Sequence, residues 1–376
     1  MGARGDNNEY LDIVMAVCEG PISNFHTVYF NDIPSTDARF ENLHDIRKYW
    51  GTDDQAADSL LVSNQPGWTT NHRLRGVAYL GIWLKWDQNT FSGGLPAITV
   101  DTDGQKVFDP RDSTTKFSNN PALCIRDYLT NTRYGRGIPA DMIDDDYFQS
   151  AANYCDENVT VGGVVQKRYT CDGIIDVDGD AMANMNNLLS SCRGMLVFSG
   201  GRYRLIIDKP GVATFAFTEN NITGSWNISL GTKKNMFNRI RGRFFNPEKS
   251  WAMDIAVVDS ADLRAQDNGV VLEKQIDLPF TANINTTKQI TTISLNQSRQ
   301  QIVCQFTAFL AGLRCEVGDV VTITHSTPGW SAKKFRVLDI SLKNDDEVIV
   351  AAREYADSVY DFGTIAVSDS APDTNL

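Results

Sequence analysis

The chain has only four imidazoles, His26, His44, His72 and His325, and none has a histidine, cysteine or carboxylate neighbour at metal-ligand spacing. No serine stands in a Gly-x-Ser-x-Gly elbow, so no nucleophile with its base is written locally. Asp176-Val177-Asp178-Gly179-Asp180 opens like a calcium loop. An EF-hand, however, needs glycine sixth and a bidentate glutamate twelfth, and here glycine is fourth and Asn187 twelfth. Asp180 therefore reads as a helix N-cap. Asp144-Asp145-Asp146 could supply acid–base chemistry, but adjacent carboxylates point in different directions, and all three suit the positive end of a helix. Gly93-Gly94 and Gly200-Gly201 precede no Lys-Ser/Thr and helix, so they read as turns and not phosphate cradles. The sequence thus leads to no catalytic, cofactor-binding or metal-ligating residues.

Charge is the chemistry that remains. In Arg239-Ile240-Arg241-Gly242-Arg243-Phe244-Phe245 the three arginines alternate, so one face of a strand carries three guanidinium groups. Lys233-Lys234 upstream makes this the most basic local segment, and nucleic acid is one possible partner. Yet the net charge is −12 at pH 7, which disfavours a sequence-independent phosphate-binding surface. A salt-bridged subunit contact, with acids of a neighbouring subunit opposite the row, is the preferred reading. The turn that presents Arg133, Tyr134 and Arg136 is the second basic feature. Arg239, Arg241, Arg243, Arg133, Tyr134 and Arg136 together form the candidate subunit interface. An acidic surface would also suit a lumen that passes DNA without holding it.

Asn120 is placed to cap a helix beginning at Pro121, with Ala122, Ile125, Tyr128 and Leu129 on its buried side and Gly135 and Gly137 ending it. Asp144 is expected to cap a second helix that buries Phe148, Ala151 and Cys155. Lys167–Asp176 alternates as a strand. Asp180 caps a third helix with Met182, Met185, Leu189 and Cys192 in register, stopped by Gly194. A hairpin over Gly200-Gly201 then joins Met195–Phe198 to Tyr203–Ile207. These pieces make a small α/β domain, 116–209, inserted between β-rich parts.

Before it, residues 1–115 hold strands at Leu11–Cys18 and Thr27–Phe30 and a long apolar strand, Leu74–Trp86, with Trp83 and Trp86 in a sheet interior. Tyr49–Gly67 reads as irregular, and Asp103-Gly104 as a hairpin turn between Ile98–Val100 and Lys106–Phe108. After it, 210–360 carries short strands at near-regular spacing, as in a barrel or sandwich. Residues 361–376 read as a flexible tail.

At 376 residues, with 42% hydrophobic and 22% charged residues, the composition is that of a folded chain of several domains. No apolar run reaches the ~20 residues of a membrane span. Seven cysteines without a CxxC pair read as buried, reduced thiols and not as a zinc or disulfide framework.

KVFDPR at Lys106–Arg111, NPALCIRDYLTNTRYGRG, AANYCDE at Ala151–Glu157, KRYTCDGIID and LLSSCRGMLVFSGGRYRLIIDKP are blocks of specific sequence. Together they resemble the central hub, or tip attachment, proteins of long-tailed, lambda-like siphophages, which are related to baseplate hubs of contractile tails. The resemblance runs from about Leu11 to Tyr360. It implies a mixed, β-rich (α+β) fold of tail-tube-like β-barrel or sandwich domains around the inserted α/β domain. It also places a helix over Thr287–Arg299, where β-branched residues alone would favour a strand.

By the same resemblance the protein is a homotrimer at the virion tail tip, assembled in the bacterial cytoplasm. Its expected partners are the distal tail protein, the tail tube rings and fibre or receptor-binding proteins. It would close the tube and open for transient passage of phage DNA without binding it specifically, and it would be no enzyme. A tail-associated hydrolase and a receptor-binding tail protein are the alternatives. Typical hubs carry further sequence before the block at Leu11 and after the block at Tyr360. That suggests either parts encoded separately or a reduced hub.

Overall fold

The structure, a computed structural model, describes residues 1–224, 226–231, 233–343, 346–361 and 367–368. Two compact units divide between Ser118 and Asn119.

The first unit is a two-sheet sandwich. Its strands are β1 (Gly2–Arg4), β2 (Tyr10–Glu19), β3 (Ile22–Phe30), β4 (Ile33–Pro34), β5 (His44–Trp50), β6 (Val77–Lys85), β7 (Ile98–Asp109) and β8 (Thr114–Phe117), with helix α1 at Ser59–Asn64. One sheet has the order β1-β2-β6-β5 and the other β4-β3-β7-β8. Ile13, Phe25, Val28, Phe30, Leu80 and Ile82 fill the space between them. β6 is apolar from Val77 to Leu84 because both its faces are covered there, and only the last residue, Lys85, is exposed. Ala78, Leu80 and Ile82 point into the sandwich core, while Tyr79 stacks on Tyr49 with ring centroids 4.4 Å apart. On that second face Gly81 leaves room for Asp58, the N-cap of α1, since a Cβ would lie 2.1 Å from its Oδ2. Asp58 is fully buried and bonds Arg47 at 2.8 Å.

Three expectations are corrected here. The irregular segment from Tyr49 holds the end of β5 and the α1 helix, which is short but capped and anchored by buried Leu61. Trp86 lies just beyond β6 and is 54% exposed, so it is not in a sheet interior. Asp103-Gly104 does not turn. β7 runs straight through it because β3 pairs with Ile98 to Gln105 and β8 with Lys106 to Asp109, so one or the other partner ladder holds the chain extended.

The second unit begins with α2 (Pro121–Thr130), α3 (Asp145–Asp156), β9 (Asn158–Val161), β10 (Val164–Lys167), α4 (Ala181–Ser190), β11 (Gly194–Ser199) and β12 (Arg202–Ile207). Asn120 caps α2 by accepting from the Ala122 N–H, and Asp180 caps α4 by accepting from the Ala183 N–H. The β11–β12 hairpin turns over Gly200 and Gly201, both at positive φ, as a tight two-residue turn requires.

Of the expected strand Lys167–Asp176 only its first residue is in a ladder. Tyr169 and Cys171 still alternate inward, but their backbone bonds run to Cys155 O, Asn119 O and, through Asp172, Phe280 O, so no strand partner is present. Asp144 sits at the α3 N-cap yet makes no capping bond, because its carboxylate takes the Arg204 Nε at 2.8 Å instead. α4 buries Asn184, Met185 and Leu188, whereas Met182 is 64% exposed. The residue that leaves α4 in the left-handed conformation is Arg193, not Gly194, which already opens β11.

β13 (Ala213–Phe217), β14 (Asn227–Leu230), β15 (Arg239–Asn246), β16 (Ala252–Asp259), α5 (Ala261–Gln266), β17 (Glu273–Asp277), α6 (Ile284–Gln297), β18 (Ile302–Phe309), β19 (Val320–His325), β20 (Trp330–Leu342), β21 (Glu347–Glu354) and β22 (Val367–Ser368) follow. Six of them form a sheet in the order β13-β19-β20-β21-β18-β14. It curls on itself. Phe217 of β13 meets Phe306 of β18, four strands away, with centroids 4.9 Å apart, and Ile222 bridges to Ala308 of β18. Phe217, Phe306, Ile323, Phe335, Val337 and Val350 close the core of this barrel-like body. Of the expected tail at 361–376, residues 362–366 and 369–376 lie outside the described residues; β22 pairs with β16.

The other sheet, β17-β15-β16-β22, carries α6 on one face. Thr287–Arg299 is helical up to Gln297 despite its β-branched residues. Burial explains this: Thr286, Thr287, Ile290, Thr291 and Ile293 are all enclosed, and the hydroxyls of Thr287 and Thr291 bond the carbonyls four residues back. The helix lies so near β15 that a Cβ on Gly242 would be 2.7 Å from the γ-methyls of both Thr287 and Thr291. Gly242→Val is therefore expected to destabilise the unit by about 1–3 kcal/mol through overpacking, read as a lowered denaturant midpoint. An unchanged midpoint would mean the helix–sheet contact is looser than described.

Candidate functional site

β15 places the arginines as their alternation requires. Ile240, Gly242 and Phe244 face α6 and are buried, and Arg239, Arg241 and Arg243 share the opposite, half-exposed face. Their partners are in the same chain. Arg239 bonds Asp259 at 2.8 Å and lies 3.6 Å from Glu273; Arg241 is 3.8 Å from Glu273, and Arg243 is 3.5 Å from Asp277. The premise that this row needs acids from a neighbouring subunit is thus corrected, because β16 and β17, the two ladder neighbours of β15, supply them. Bonding to Asp259 and the nearby Glu273 raise the Arg239 pKa over the opposing effect of burial. The Arg241 Nε is buried without a hydrogen-bond partner.

Arg133, Tyr134 and Arg136 sit on a different element, the turn after α2. Asn131 Oδ1 accepts from the Arg133 and Tyr134 N–H groups, and the Tyr134 hydroxyl bonds Asp127. Gly135 is dictated by close approach: a Cβ there would lie 2.2 Å from the Tyr128 carbonyl oxygen.

Sequence reasoning missed a buried charge cluster that ties three parts of the second unit together. Asp208, at the end of the β11–β12 hairpin, bonds Arg193 and Tyr360 and lies 3.5 Å from the Arg336 Nε. Arg193 also donates to Ser294 Oγ at 2.9 Å and Gln297 Oε1 at 3.0 Å on α6. Arg336, on β20, donates to the carbonyls of Gly318 and Lys209. Asp208, Arg193 and Arg336 are all nearly enclosed. Burial pushes the Asp208 pKa up, but Arg193 and Arg336 outweigh it and hold the carboxyl below its ordinary value. Burial, and then the Asp208 charge, raise the Tyr360 phenol. A cleft of about 390 Å³, lined in part by Arg193, Asp208, Ile290, Gln297, Arg336 and Tyr360, lies beside the cluster. No local signal marks it, since its members are scattered from 193 to 360 and only the fold joins them.

A second clamp holds the same parts at another point. Glu316 accepts from the Tyr147 hydroxyl at 2.6 Å and from Arg204 at 2.9 Å, and Arg204 also binds Asp144. The bond to Glu316 pushes the Tyr147 pKa up to about 12. These groups are spent on each other. They make an electrostatic frame that fixes the α/β part against the barrel, α6 and its sheet.

Each histidine has local company. His44 lies 3.0 Å from the Phe40 carbonyl, His72 contacts Thr69, His325 packs on Trp226, and His26 pairs with Asp103 across the β3–β7 ladder. Among the described residues no group of three or more His, Cys, Asp or Glu side chains is arranged to hold a metal ion. No described helix is long and apolar enough to cross a membrane.

Residues 180–340 match a protein family described as "Putative phage tail protein", and the chain is similar to curated phage tail hub and tip attachment proteins. It is 24% identical over 356 residues to baseplate hub protein pb3 of Escherichia phage T5, covering 84% of this chain and 37% of that protein. It is 29% identical over 196 residues to tip attachment protein J of Escherichia phage SECphi27, covering 46% of this chain and 16% of that protein. The chain thus spans well under half the length of either relative. Among solved structures, a chain of the native gene transfer agent virion has the same fold, with a TM-score of 0.66 at 15% identity, covering 96% of this chain and 82% of that one. The mixed β-rich fold read from the sequence agrees with this match.

Proposed function

We propose that this chain is the structural hub of a siphophage-like tail tip, acting by binding and gating and not by covalent chemistry. The observation that carries the proposal is the baseplate hub relative that aligns over 84% of the chain. In this reading a homotrimer closes the distal end of the tail tube. It joins the tube and distal-tail rings to fibre or receptor-binding proteins, and it opens for DNA during entry. The net charge of −12 suits a lumen that lets DNA slide through. The division into an N-terminal β domain, an inserted α/β domain and a C-terminal barrel domain, with the row of Arg239, Arg241 and Arg243 and the Arg133–Arg136 turn as subunit contacts, belongs to the same proposal.

The arginine row provides the test. Arg241 and Glu273 are both more than a third exposed, so their own pairing contributes about 1 kcal/mol or less. Arg241→Glu is therefore expected to leave the isolated chain folded, with an unchanged circular dichroism spectrum. In the encoding phage it is expected to lower incorporation into tails and infectivity at least tenfold, because the exposed side of the row would then offer a neighbouring subunit an acid in place of a guanidinium. Mutant phage with wild-type infectivity and normal amounts of the chain in its tails would remove the row from the interface.

A further inference from the structure

The cleft beside the Asp208 cluster carries more positive charge than the acids around it neutralise. Arg193, Arg336 and Arg353 line it, and so do the carboxylates of Asp208, Asp277 and Glu354. Two of those acids are engaged elsewhere. Glu354 takes the Lys333 ammonium at 2.5 Å and the Ile302 N–H at 3.3 Å, and the exposed Asp277 lies 3.5 Å from Arg243. Arg193 and Arg336 therefore divide one buried carboxylate, Asp208, between them. The Arg193 side chain is only 9% exposed, and its buried Nε has no hydrogen-bond partner. Arg353 stands directly across the β20–β21 ladder from Arg336, so both side chains leave the same face of the sheet. Like charges placed that way repel, yet among the described residues Arg353 has neither an ion pair nor a side-chain hydrogen bond. The Gln300 amide, which also lines the cleft, is likewise without a side-chain partner among them.

We propose that this cleft is a binding site for a phosphate dianion, free or as a small phosphate monoester, held by Arg193, Arg336 and Arg353. The ligand chemistry follows from the donors. Planar guanidinium groups match phosphate oxygens with paired hydrogen bonds, and a dianion brings the negative charge that the cleft lacks. Arg193 and Arg336 are nearly enclosed, where water screens a charge poorly, whereas Arg353 is exposed and can meet an entering anion first. At about 390 Å³ the cleft falls within the range of roughly 300–1,000 Å³ usual for small-ligand sites. Ile276, Leu278, Ile290 and Leu338 give it apolar walls suited to the organic part of a monoester. The net charge of −12 opposes a long phosphate-binding surface, but an enclosed site responds chiefly to its own near neighbours. Arg193 follows α4, and Arg336 and Arg353 belong to the barrel-like sheet. One bound anion would thus bridge the α/β part and the barrel, and it would stabilise the folded second unit by mass action. Nothing in this proposal depends on where the chain assembles, so it stands apart from the tail-tip reading.

The test is calorimetric titration of the full chain with inorganic phosphate and with phenyl phosphate, together with thermal unfolding in each. Both are run near neutral pH at an ionic strength held constant with chloride. The expected result is saturable binding of at least one probe at a single site, with a midpoint that rises as the site fills and no rise from chloride alone. Tighter binding of phenyl phosphate would assign the site to a monoester, and tighter binding of inorganic phosphate to the free ion. Arg353→Gln should weaken binding at least tenfold, roughly the loss of one hydrogen bond to a charged group. Its midpoint in phosphate-free buffer should not fall, because Arg353 is exposed and has no partner among the described residues. Arg353→Glu carries the test the other way. A carboxylate opposite Arg336 should itself provide the missing charge, raising the phosphate-free midpoint and abolishing binding of both probes. Titrations without saturable binding of either probe would overturn the proposal. So would binding to Arg353→Gln as tight as to wild type, which would mean that the anions act on the surface at large. A phosphate-free midpoint lowered by Arg353→Glu would also overturn it, since the cleft would then hold no excess of positive charge.

Discussion

Asp208→Ala is expected to unfold the second unit in conditions where the wild-type chain is folded. Removing this carboxylate leaves Arg193 and Arg336, both nearly enclosed, without their shared counter-charge. Breaking a buried pair in this way costs about 3–5 kcal/mol, a large part of the 5–15 kcal/mol typical of a domain. Arg193 sharpens the expectation. It holds a left-handed backbone conformation that glycine adopts more cheaply, and the bonds of its side chain to Asp208, Ser294 and Gln297 are what that conformation secures.

The same cluster sets a pH dependence. The Asp208 carboxyl is held below its ordinary value in the folded state. Its contribution is therefore complete above the unfolded value of about 4 and is lost as pH falls through the lower folded value. Denaturant titrations of wild type and Asp208→Ala should differ most near neutral pH and converge in acid. A midpoint for Asp208→Ala equal to wild type at pH 7 would show that the cluster does not hold the unit together.

Phe306→Ala is expected to be comparably damaging, at about 3–5 kcal/mol, but without a pH dependence. Phe306 is 1% exposed and packs against Phe217 at 4.9 Å and Trp226 at 4.8 Å, the contacts that close the six-stranded sheet on itself. Its loss opens a cavity where strands from opposite edges meet. Thermal unfolding should show the same fall in midpoint at neutral and acid pH, similar to that of Asp208→Ala at neutral pH and exceeding it in acid, where the Asp208→Ala effect fades. A small effect would mean that the barrel is held by its ladder and not by this aromatic core.

Periodicity and capping residues made much of this fold legible. Asn120 and Asp180 start their helices as their side chains dictate, and Gly200-Gly201 turns the hairpin. What local pattern could not show was the partner. Asp103-Gly104 is a turn signal that two flanking strands override, and Lys167–Asp176 alternates although only Lys167 pairs with a strand. Asp144 has the right place for a cap, but Arg204 takes its carboxylate. Thr287–Arg299 ran the other way: its residues favoured a strand, the family resemblance a helix, and burial under β15 and β16 sustains the helix.

The candidate site divides along the same line. Alternation correctly put three arginines on one face of β15, but Asp259, Glu273 and Asp277 reach them only through ladder register. The Asp208 cluster was illegible because its members come from the end of a hairpin, a helix exit, a barrel strand and, at Tyr360, a residue more than 150 positions further on. Isolated Asp, Arg and Tyr residues look like ordinary surface until the fold encloses them.

Cryo-electron microscopy of intact tails from the encoding phage tests the tail-tip proposal most directly. The account predicts that this chain fits density at the distal end of the tail tube as three symmetry-related copies, and that tails made without it lack an ordered tip. Tails that retain a complete tip when the chain is absent, or density for it only elsewhere in the particle, would contradict it.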